Sequence, residues 1–497
     1  MSAFDFESPS RQSAKGIIVI FGINAFKVLK GAWAFILLIV IQGIRSGNGS
    51  FRNQLLIIGG VLAVVLMLLI VAILQYLNFT FYLKDGHFFI KKGVLNREEL
   101  SVSHSKIQNV YIKQNLLQQI VNVVSLSIET AGDDKTEISI SALPKPMAIE
   151  LKRQLLKNSN QLRIKDPEPK EKPVYFRASF PKLLLEGISE NHLKSFLIIF
   201  AFVIGLYNDL KEIVNSIGFM NGYKGWFQLE GESVVALIIF NLTFIIALIF
   251  VSMLFSMLKM LIQNFDLTVI RNEEGLELSK GLFNKINLGL TSSRIQKTTV
   301  STNRLKQLLG LYKLSFTQAN ANKKQQLNFN IVGLGKIQVK EILNQFYPNI
   351  DGRIKRHKPS KYMLIKHSYL GFFLLLLINM VLYFLPAVFL WLNAVLIILI
   401  GSSIYFTYQK TYYYVDQDYI VRAGGGLIDT WSSFLELHKT QCIQISETYF
   451  QKRRGLAHLT IYSASKTLKI PHIPKKEALN ISNQILYLVE SQNRDWM

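Results

Sequence analysis

The chain lacks the residues on which several protein classes depend. Its 497 residues include a single cysteine, Cys442, so no disulfide forms within the chain, and a buried thiol is the expected environment. The eight histidines are scattered, and no metal-binding spacing, Walker loop or GxGxxG fingerprint occurs. The sequence therefore offers no catalytic constellation, and we expect no metal and no cofactor.

Acidic residues are scarce. The chain has 33 of them against 56 basic residues, which gives a formal net charge of +23. No helix-turn-helix, zinc finger or aromatic RNA-binding motif accompanies this charge, so we expect no nucleic-acid partner. Anionic headgroups attract basic residues near a bilayer by about 1 kcal/mol each. The charge thus favours the lipid bilayer as a partner, with anionic lipids among its ligands.

Charge is also missing from the longest apolar runs. Leu55–Leu74 has no polar side chain, and as a helix it covers about 30 Å, the thickness of a bilayer core. Three further runs are similar: Val234–Leu258, Tyr369–Leu385 and Val388–Tyr408. Two weaker runs complete three pairs: Ala32–Ile41 and Ser195–Tyr207. We therefore predict about six transmembrane helices in three hairpins, with Asn241, Asn379 and Asn393 hydrogen-bonding between helices.

Mixed segments lead into the first two hairpins. Gly16–Leu29 and Phe180–Asn191 alternate apolar residues with lysine, asparagine or glutamate. A helix lying in the headgroup layer has this texture, and so does a transmembrane helix with a polar start. The sequence leaves both readings open.

One 39-residue module occurs three times without a gap, at Gly93–Ala131, Gly281–Ala319 and Gly426–Ala464. Each copy opens with Gly and has Gln fifteen residues later: Gln108, Gln296 and Gln441. Fourteen residues further stand Asn122, Gly310 and Gly455. Equal spacing at three places indicates a tandem array of one structural unit.

Alternating apolar residues predict that each module is β-rich. We expect Leu126 and Ile128 to face Ile138 and Ile140 across a turn. The corresponding sets are Leu314 and Phe316 with Leu327, Phe329 and Ile331, and Leu459 and Ile461 with Leu468 and Ile470. Strand pairs precede each module, and one amphipathic helix closes each copy: Pro146–Asn158, Lys336–Phe346 and Pro474–Glu490.

These features resemble a known family. The early Gly and the segments Ser105–Gln108, Ser293–Gln296 and Leu309–Phe316 are similar to bacterial pleckstrin-homology (PH) membrane proteins of the YdbT-like type, bPH2. The third copy departs from the pattern at Lys439-Thr440-Gln441, and the first has Asn122 in place of Gly. The resemblance implies small β-barrels or sandwiches, each plugged by a C-terminal helix, and no enzymatic activity.

The expected fold class is membrane α-helical hairpins alternating with three β-rich PH-like domains. The predicted limits are 1–78 for the N-terminal segment and first hairpin, 79–158 for the first domain, 159–179 for a linker, 180–263 for the second hairpin, 264–347 for the second domain, 348–360 for a linker, 361–410 for the third hairpin and 411–497 for the third domain.

Basic residues predict the orientation in the membrane. The loops opposite the modules hold only Arg45, Arg52, Lys211 and Lys224. On the module side, lysines flank the spans at 15, 84, 182, 194, 259, 361, 366 and 410. Because such residues favour the cytoplasm, we expect a multi-pass inner-membrane protein whose modules and termini are cytoplasmic.

Two functions fit this arrangement. The first is a membrane-tethered scaffold whose domains bind a membrane or cytoplasmic protein, with cell-envelope maintenance as one expected role. The second is a lipid-sensing or lipid-handling protein that holds anionic headgroups against its basic faces. The candidate headgroup contacts are Lys91, Lys92, Lys280 and Arg422, which lie beside the opening Gly of each module.

Overall fold

The computed structural model describes residues 4–45, 51–130, 137–157, 174–205, 234–272, 275–318, 329–347, 356–382 and 392–491. The chain divides into two compact units. The first comprises Met1–Tyr175, Val269–Thr291 and Asn320–Leu327, and the second comprises Phe176–Thr268, Ser292–Ala319 and Asn328–Met497. The boundary falls inside the second module, so its strands belong to both units.

The described helices and strands follow the repeat. The helices are α1 (Gly16–Arg45), α2 (Phe51–Leu77), α3 (Leu116–Ile120), α4 (Lys145–Lys157), α5 (Phe180–Ile188), α6 (Leu193–Gly205), α7 (Val234–Asn264), α8 (Arg304–Leu308), α9 (Lys336–Phe346), α10 (Tyr362–Leu382), α11 (Leu392–Lys410), α12 (Tyr449–Lys452) and α13 (Lys475–Ser491).

The strands are β1 (Thr80–Lys84), β2 (His87–Lys92), β3 (Glu98–Ser103), β4 (Ile107–Gln114), β5 (Val124–Thr130), β6 (Glu137–Leu143), β7 (Val174–Arg177), β8 (Thr268–Asn272), β9 (Gly275–Lys280), β10 (Lys285–Thr291), β11 (Ile295–Asn303), β12 (Tyr312–Gln318), β13 (Phe329–Leu334), β14 (Tyr412–Val415), β15 (Tyr419–Gly425), β16 (Asp429–Glu436), β17 (Cys442–Ser446), β18 (Leu456–Tyr462) and β19 (Thr467–Pro474).

The predicted hairpins are confirmed residue by residue. Leu126 pairs with Ile140 and Ile128 with Ile138. In the second copy Leu314 pairs with Ile331 and Phe316 with Phe329, while Leu327 lies outside the described residues. In the third copy Leu459 pairs with Ile470 and Ile461 with Leu468. The closing helices α4, α9 and α13 begin within one residue of the predicted starts.

The constant residues of the module have backbone explanations. The ladders of β4 and β11 shift register at Gln108 and Gln296, so each of these residues occupies a β-bulge. Asn122, Gly310 and Gly455 all have positive φ, at 54°, 66° and 62°. Glycine and asparagine are the residues that adopt this conformation most readily, which explains why Asn replaces Gly in the first copy.

Consecutive copies share their sheets. One seven-stranded sheet has the order β6-β5-β4-β10-β9-β8-β7, and one six-stranded sheet has the order β13-β12-β11-β16-β15-β14. In each sheet, one strand follows the opening Gly of its copy: β10 in the second copy and β16 in the third. It pairs with the strand that follows the short 3-10 turn of the preceding copy, which is β4 or β11. Two three-stranded sheets remain at the ends of the series: β1-β2-β3 and β17-β18-β19.

A buried tyrosine seals the shared sheet of the second unit. Tyr347 follows α9 and is 1 % exposed. Its hydroxyl donates to Thr298 Oγ1 of β11 at 2.9 Å, and its ring lies edge-on to Tyr419 of β15, with the ring centroids 5.7 Å apart. Burial raises the pKa of this phenol. One side chain of the second copy thus packs on strands from two copies.

The closing helices α4 and α13 each cover a hydrophobic core. In the first unit Leu151 and Leu155 of α4 pack against Phe81, Phe88 and Leu126. In the second unit Ile481 and Ile485 of α13 pack against Ile420, Leu459 and Ile470. These contacts fit the β-rich, helix-closed domain that the sequence predicted.

Cys442 corrects one prediction. The expectation of a buried thiol was wrong, because Cys442 is exposed. It begins β17, a strand whose only ladder partner among the described residues is β18. The strand assignment was right, but alternation alone does not show that a strand lies at the edge of its sheet.

Three segments of the described chain are long and apolar enough to cross a membrane: Ile58–Leu77, Ile245–Asn264 and Tyr362–Met380. They coincide with one strong predicted span in each hairpin. The hairpin partners α1, α6 and α11 are helical, but the total of six transmembrane helices stays a prediction. Apolar side chains such as Leu62, Met67 and Phe372 are more than 60 % exposed, as expected for a lipid-facing helix.

A polar pair joins the two helices of every hairpin. Asn24 of α1 donates to Gln75 of α2 at 3.1 Å. The Ser195 hydroxyl of α6 lies 2.8 Å from that of Ser256 in α7. Asn379 and Asn393 exchange two hydrogen bonds of 2.8 Å between α10 and α11, which confirms their predicted role. The side chain of Asn241, predicted to act in the same way, lies outside the described residues.

The two lead-in segments differ. Gly16–Leu29 is the first half of the continuous helix α1. Its Val19 is fully buried with Val123 and Ala142 of the first domain. Phe180–Asn191 instead forms the separate helix α5, which ends at Ile188 before α6 begins. A Cβ at Gly187 would lie 2.9 Å from the Cα of Met257, so α5 packs directly on α7.

Candidate functional site at the joint between module and hairpin

The same short helix marks one place in every module. It is α3, α8 or α12, and its N-cap residue is Asn115, Asn303 or Thr448. Three residues after the N-cap comes a buried polar residue: Gln118, Lys306 or Gln451. Polar residues are buried only when they are hydrogen-bonded, so each has a partner nearby. We call the N-cap, the buried polar residue and its partners the joint.

The joint of the second copy is a buried ion pair. Lys306 is 6 % exposed and Glu186 of α5 is 0 % exposed, and the Lys306 Nζ lies 2.5 Å from Glu186 Oε1 and 3.1 Å from Glu190 Oε1. Burial alone would lower the pKa of Lys306, but the two carboxylates outweigh it and raise that pKa. Asn303 also donates to the carbonyl of Ser189 at 2.6 Å. The module is thereby fixed to the end of α5.

The joint of the third copy is a pair of buried histidines. Gln451 Nε2 lies 3.2 Å from His458 Nε2 and 2.9 Å from His472 Nδ1. The His472 ring contacts Tyr362, the first residue of α10, with the centroids 5.3 Å apart. The Arg454 guanidinium stacks on the Tyr362 ring, 4.7 Å from its centroid. Here too the buried polar residue adjoins the start of a membrane helix.

The joint of the first copy is mainly apolar. Gln118 donates to the carbonyl of Ser141 at 2.7 Å and completes a capping box with Asn115. Beside it, α1 approaches so closely that a Cβ at Gly22 would collide with Leu117. All three modules therefore contact the helix that enters their own hairpin through the same part of the fold.

This arrangement fixes the position of each module against its hairpin. A buried charge pair holds a fixed geometry because separating the charges leaves each one desolvated. No group of three potential metal ligands occurs among the described residues. The joints are suited to coupling each module mechanically to its hairpin.

The four predicted headgroup contacts lie elsewhere. Lys91 and Lys92 of β2 are exposed, but they pair with Glu99 at 3.2 Å and Glu98 at 3.4 Å on the adjacent strand β3. Their positive charge is therefore offset locally.

Lys280 ends β9 and is half-buried. Arg422 of β15 stacks on Trp431 with 5.0 Å between guanidinium and ring, and burial lowers its pKa to about 10. The predicted residues thus lie in different environments on three strands, and none of them belongs to a joint.

Sequence reasoning missed the joints, although a signal was present. Asn115 and Gln118, and Thr448 and Gln451, have the spacing of a capping box, and Asn303 and Lys306 share it. The partner Glu186 is 120 residues from Lys306, and no local pattern connects the two.

The apolar helices, the repeated β-rich modules and their closing helices together define a membrane protein with three PH-like domains. The Bacterial PH domain family (bPH_2) matches residues 21–159, 217–349 and 371–489, and the chain belongs to this family. It is 23 % identical over 450 residues to the UPF0699 transmembrane protein YdbT of Bacillus subtilis (strain 168), with 86 % of each chain covered. The resemblance seen in the sequence is confirmed.

Removing one partner of the buried ion pair is predicted to destabilise the second unit. Lys306→Met leaves Glu186 desolvated and unpaired, at an expected cost of about 3 to 5 kcal/mol, whereas Lys306→Met combined with Glu186→Leu recovers most of that loss. Thermal unfolding of the full-length protein in nanodiscs measures both. Gln307→Met, at the exposed neighbour in α8, is the matched control. Equal losses in the single and double variants would contradict the ion-pair interpretation.

The histidine joint predicts a loss of stability in acid. Burial, with nearby lysines, lowers the pKa of His458 and His472 from 6.5 to about 4. Because the folded state binds these protons less readily than the unfolded state, the stability contribution is complete above pH 6.5 and is lost as the pH falls toward 4. At pH 5 the loss amounts to at most about 2 kcal/mol per histidine.

The measurement is the unfolding midpoint of the full chain between pH 7.5 and pH 4.5. His458→Gln with His472→Asn should flatten its pH dependence, and Asn suits the positive φ of 52° at residue 472. His87→Gln, at an exposed histidine of the first unit, should leave the profile unchanged. A wild-type midpoint that does not fall in acid would refute the role given to this pair.

Proposed function

We propose that this protein is a non-enzymatic membrane scaffold, with three cytoplasmic PH-like domains that present binding surfaces to a protein partner in cell-envelope maintenance. The observation that carries the proposal is the sharing of sheets. β4 pairs with β10, and β11 pairs with β16, so neighbouring copies hold one another in register. Within each unit, a sheet shared by two copies offers an extended surface, which suits the binding of partners.

The membrane attachment supports the same proposal. Six helices, paired in three hairpins, anchor the domains in a bacterial inner membrane. The lysines around the spans favour the cytoplasmic side for all three domains. The polar pairs within each hairpin and the joints below them tie every domain to its own anchor. A reporter fused after Asn158 that reads outside the cell would contradict this orientation.

A lipid-handling function is the second candidate, and one observation favours it. Basic residues of the second unit stack on aromatic side chains at and beside the ends of α10 and α11: Arg304 on Phe406, Lys358 on Tyr408, Arg356 on Tyr412 and Arg454 on Tyr362. Aromatic and basic residues concentrate where a helix meets headgroups. Lys91, Lys92, Lys280 and Arg422 would add to such contacts on the domains.

Photo-crosslinking distinguishes the two functions. Leu95, Phe283 and Ile428 are equivalent residues of the three modules and are all exposed, so each is replaced in turn by a photoreactive amino acid in the full-length protein. A scaffold predicts a discrete adduct with the same second protein from native membranes at one or more of these positions. The control position is the lipid-facing Leu62 of α2.

The outcomes separate cleanly. Adducts with anionic phospholipid alone at the module positions favour lipid handling. Absence of any adduct with a different protein at all three positions would rule out the scaffold.

A further inference from the structure

The two ends of the sheet series are complementary to each other. Within the part of the chain that the structure describes, β3 pairs only with β2, and β17 pairs only with β18. In the middle of the series the equivalents of β3 are β10 and β16, and the equivalents of β17 are β4 and β11. Those four strands all pair with a neighbouring copy.

The two existing junctions have the same register. Asn287 opposes Ile112 at the first junction, and the equivalent residues Ser432 and Val300 oppose each other at the second. The adjacent pairs agree as well: Ile286 with Lys113 matches Trp431 with Ser301, and Lys285 with Gln114 matches Thr430 with Thr302. A one-residue slip would turn every side chain to the other face, so a shared register at both junctions defines one mode of docking.

Exposure follows the presence of a neighbour. In β17, Cys442 and Gln444 are exposed, whereas the equivalent Lys297 and Thr299 are half-buried and Tyr111 is fully buried. In β3, Glu98, Glu99 and Ser101 are exposed, whereas the equivalent Trp431 and Ser432 are half-buried and Phe434 is buried. The two end strands thus look like the inner strands with one neighbour removed.

We propose that β17 of one chain pairs with β3 of a second copy of this chain, head to tail, in the register of the two internal junctions. This inference goes beyond the proposed scaffold function and stands without it. The contact is between unlike surfaces, so it is not limited to two chains and builds a ring or a row along the membrane. Each added chain continues the series of modules with its own hairpins.

The register makes specific pairs. Gln444 faces Leu100, Ile445 faces Glu99, and Glu447 faces Arg97. The last pair has opposite charges, and Glu447 Oε2 is a buried oxygen for which the described residues supply no hydrogen-bond partner. Directly opposed charges on neighbouring strands stabilise the pairing, and like charges oppose it. Glu447 Oε1 is paired with Lys475 of its own chain at 3.2 Å, and Arg97 of a second chain would supply a donor for Oε2.

Disulfide trapping in the full-length protein tests the register. At the internal junction equivalent to Gln444 and Leu100, the Thr299 and Ser433 hydroxyl oxygens are 3.0 Å apart, so cysteines at 444 and 100 should meet. One tagged chain has Leu100→Cys and Cys442→Ser, and a second, with a different tag, has Gln444→Cys and Cys442→Ser. Mild oxidation of membranes containing both should give a product with both tags.

Matched controls define what counts as specific. Ser101→Cys in place of Leu100→Cys puts the thiol on the opposite face of β3 and should reduce the two-tag product at least tenfold. Arg97→Glu should reduce it several-fold by facing Glu447 with a like charge. Arg11→Glu, at an exposed arginine outside the edge strands, should not.

The proposal is overturned if no two-tag product forms while both cysteines react with a maleimide, or if a chain with both cysteines links only within itself. Native mass measurement of the unmutated protein in nanodiscs or detergent guards against a variant that fails to fold. Multiples of the chain mass that increase with protein concentration support the proposal, and a single-chain mass at every concentration contradicts it. If two copies of the chain link to each other but no adduct with a different protein forms, this inference stands and the scaffold function is lost.

Discussion

The structure depends on an antiparallel ladder between neighbouring copies of one module. In the second and third copies, the strand that follows the opening Gly pairs with a strand of the preceding copy. A backbone ladder leaves few polar groups unpaired, and its register fixes which side chains face each core. Tyr347 shows the consequence, since its ring and hydroxyl contact β11 and β15, from two different copies. Neighbouring copies of the repeat therefore share strands within one sheet and are not separate domains.

The membrane attachment adds a second constraint. Each hairpin is closed by one polar pair in an apolar surrounding, and each module meets its hairpin at the same short helix. The three joints connect module and hairpin through different interactions. These are apolar packing in the first copy, a buried ion pair in the second and a histidine pair in the third. Because only the third joint contains histidines whose pKa is lowered by burial, we expect the copies to respond differently to acid.

Local sequence patterns predicted much of the fold, but they did not predict contacts between residues far apart in the chain. Alternation paired Leu126 with Ile140 and Leu459 with Ile470 correctly, since both strands of a hairpin carry the pattern. The same alternation shows which face of β17 is buried and not whether another strand lies beside it, which is why Cys442 was misjudged. The pairing of Lys306 with Glu186 and the pairing of Lys91 with Glu99 both depend on register and topology. The sequence therefore did not show that the basic side chains of the candidate site have partners within the fold.

Hydrogen exchange of the backbone amides tests the sharing of sheets most directly. In the full-length protein in nanodiscs, peptides covering β4 and β11 should exchange as slowly as those covering the central strands β5 and β12, because their outer edges are paired with β10 and β16. Rapid exchange of alternate amides in β4 and β11, as in a strand with an open edge, would contradict the shared sheets.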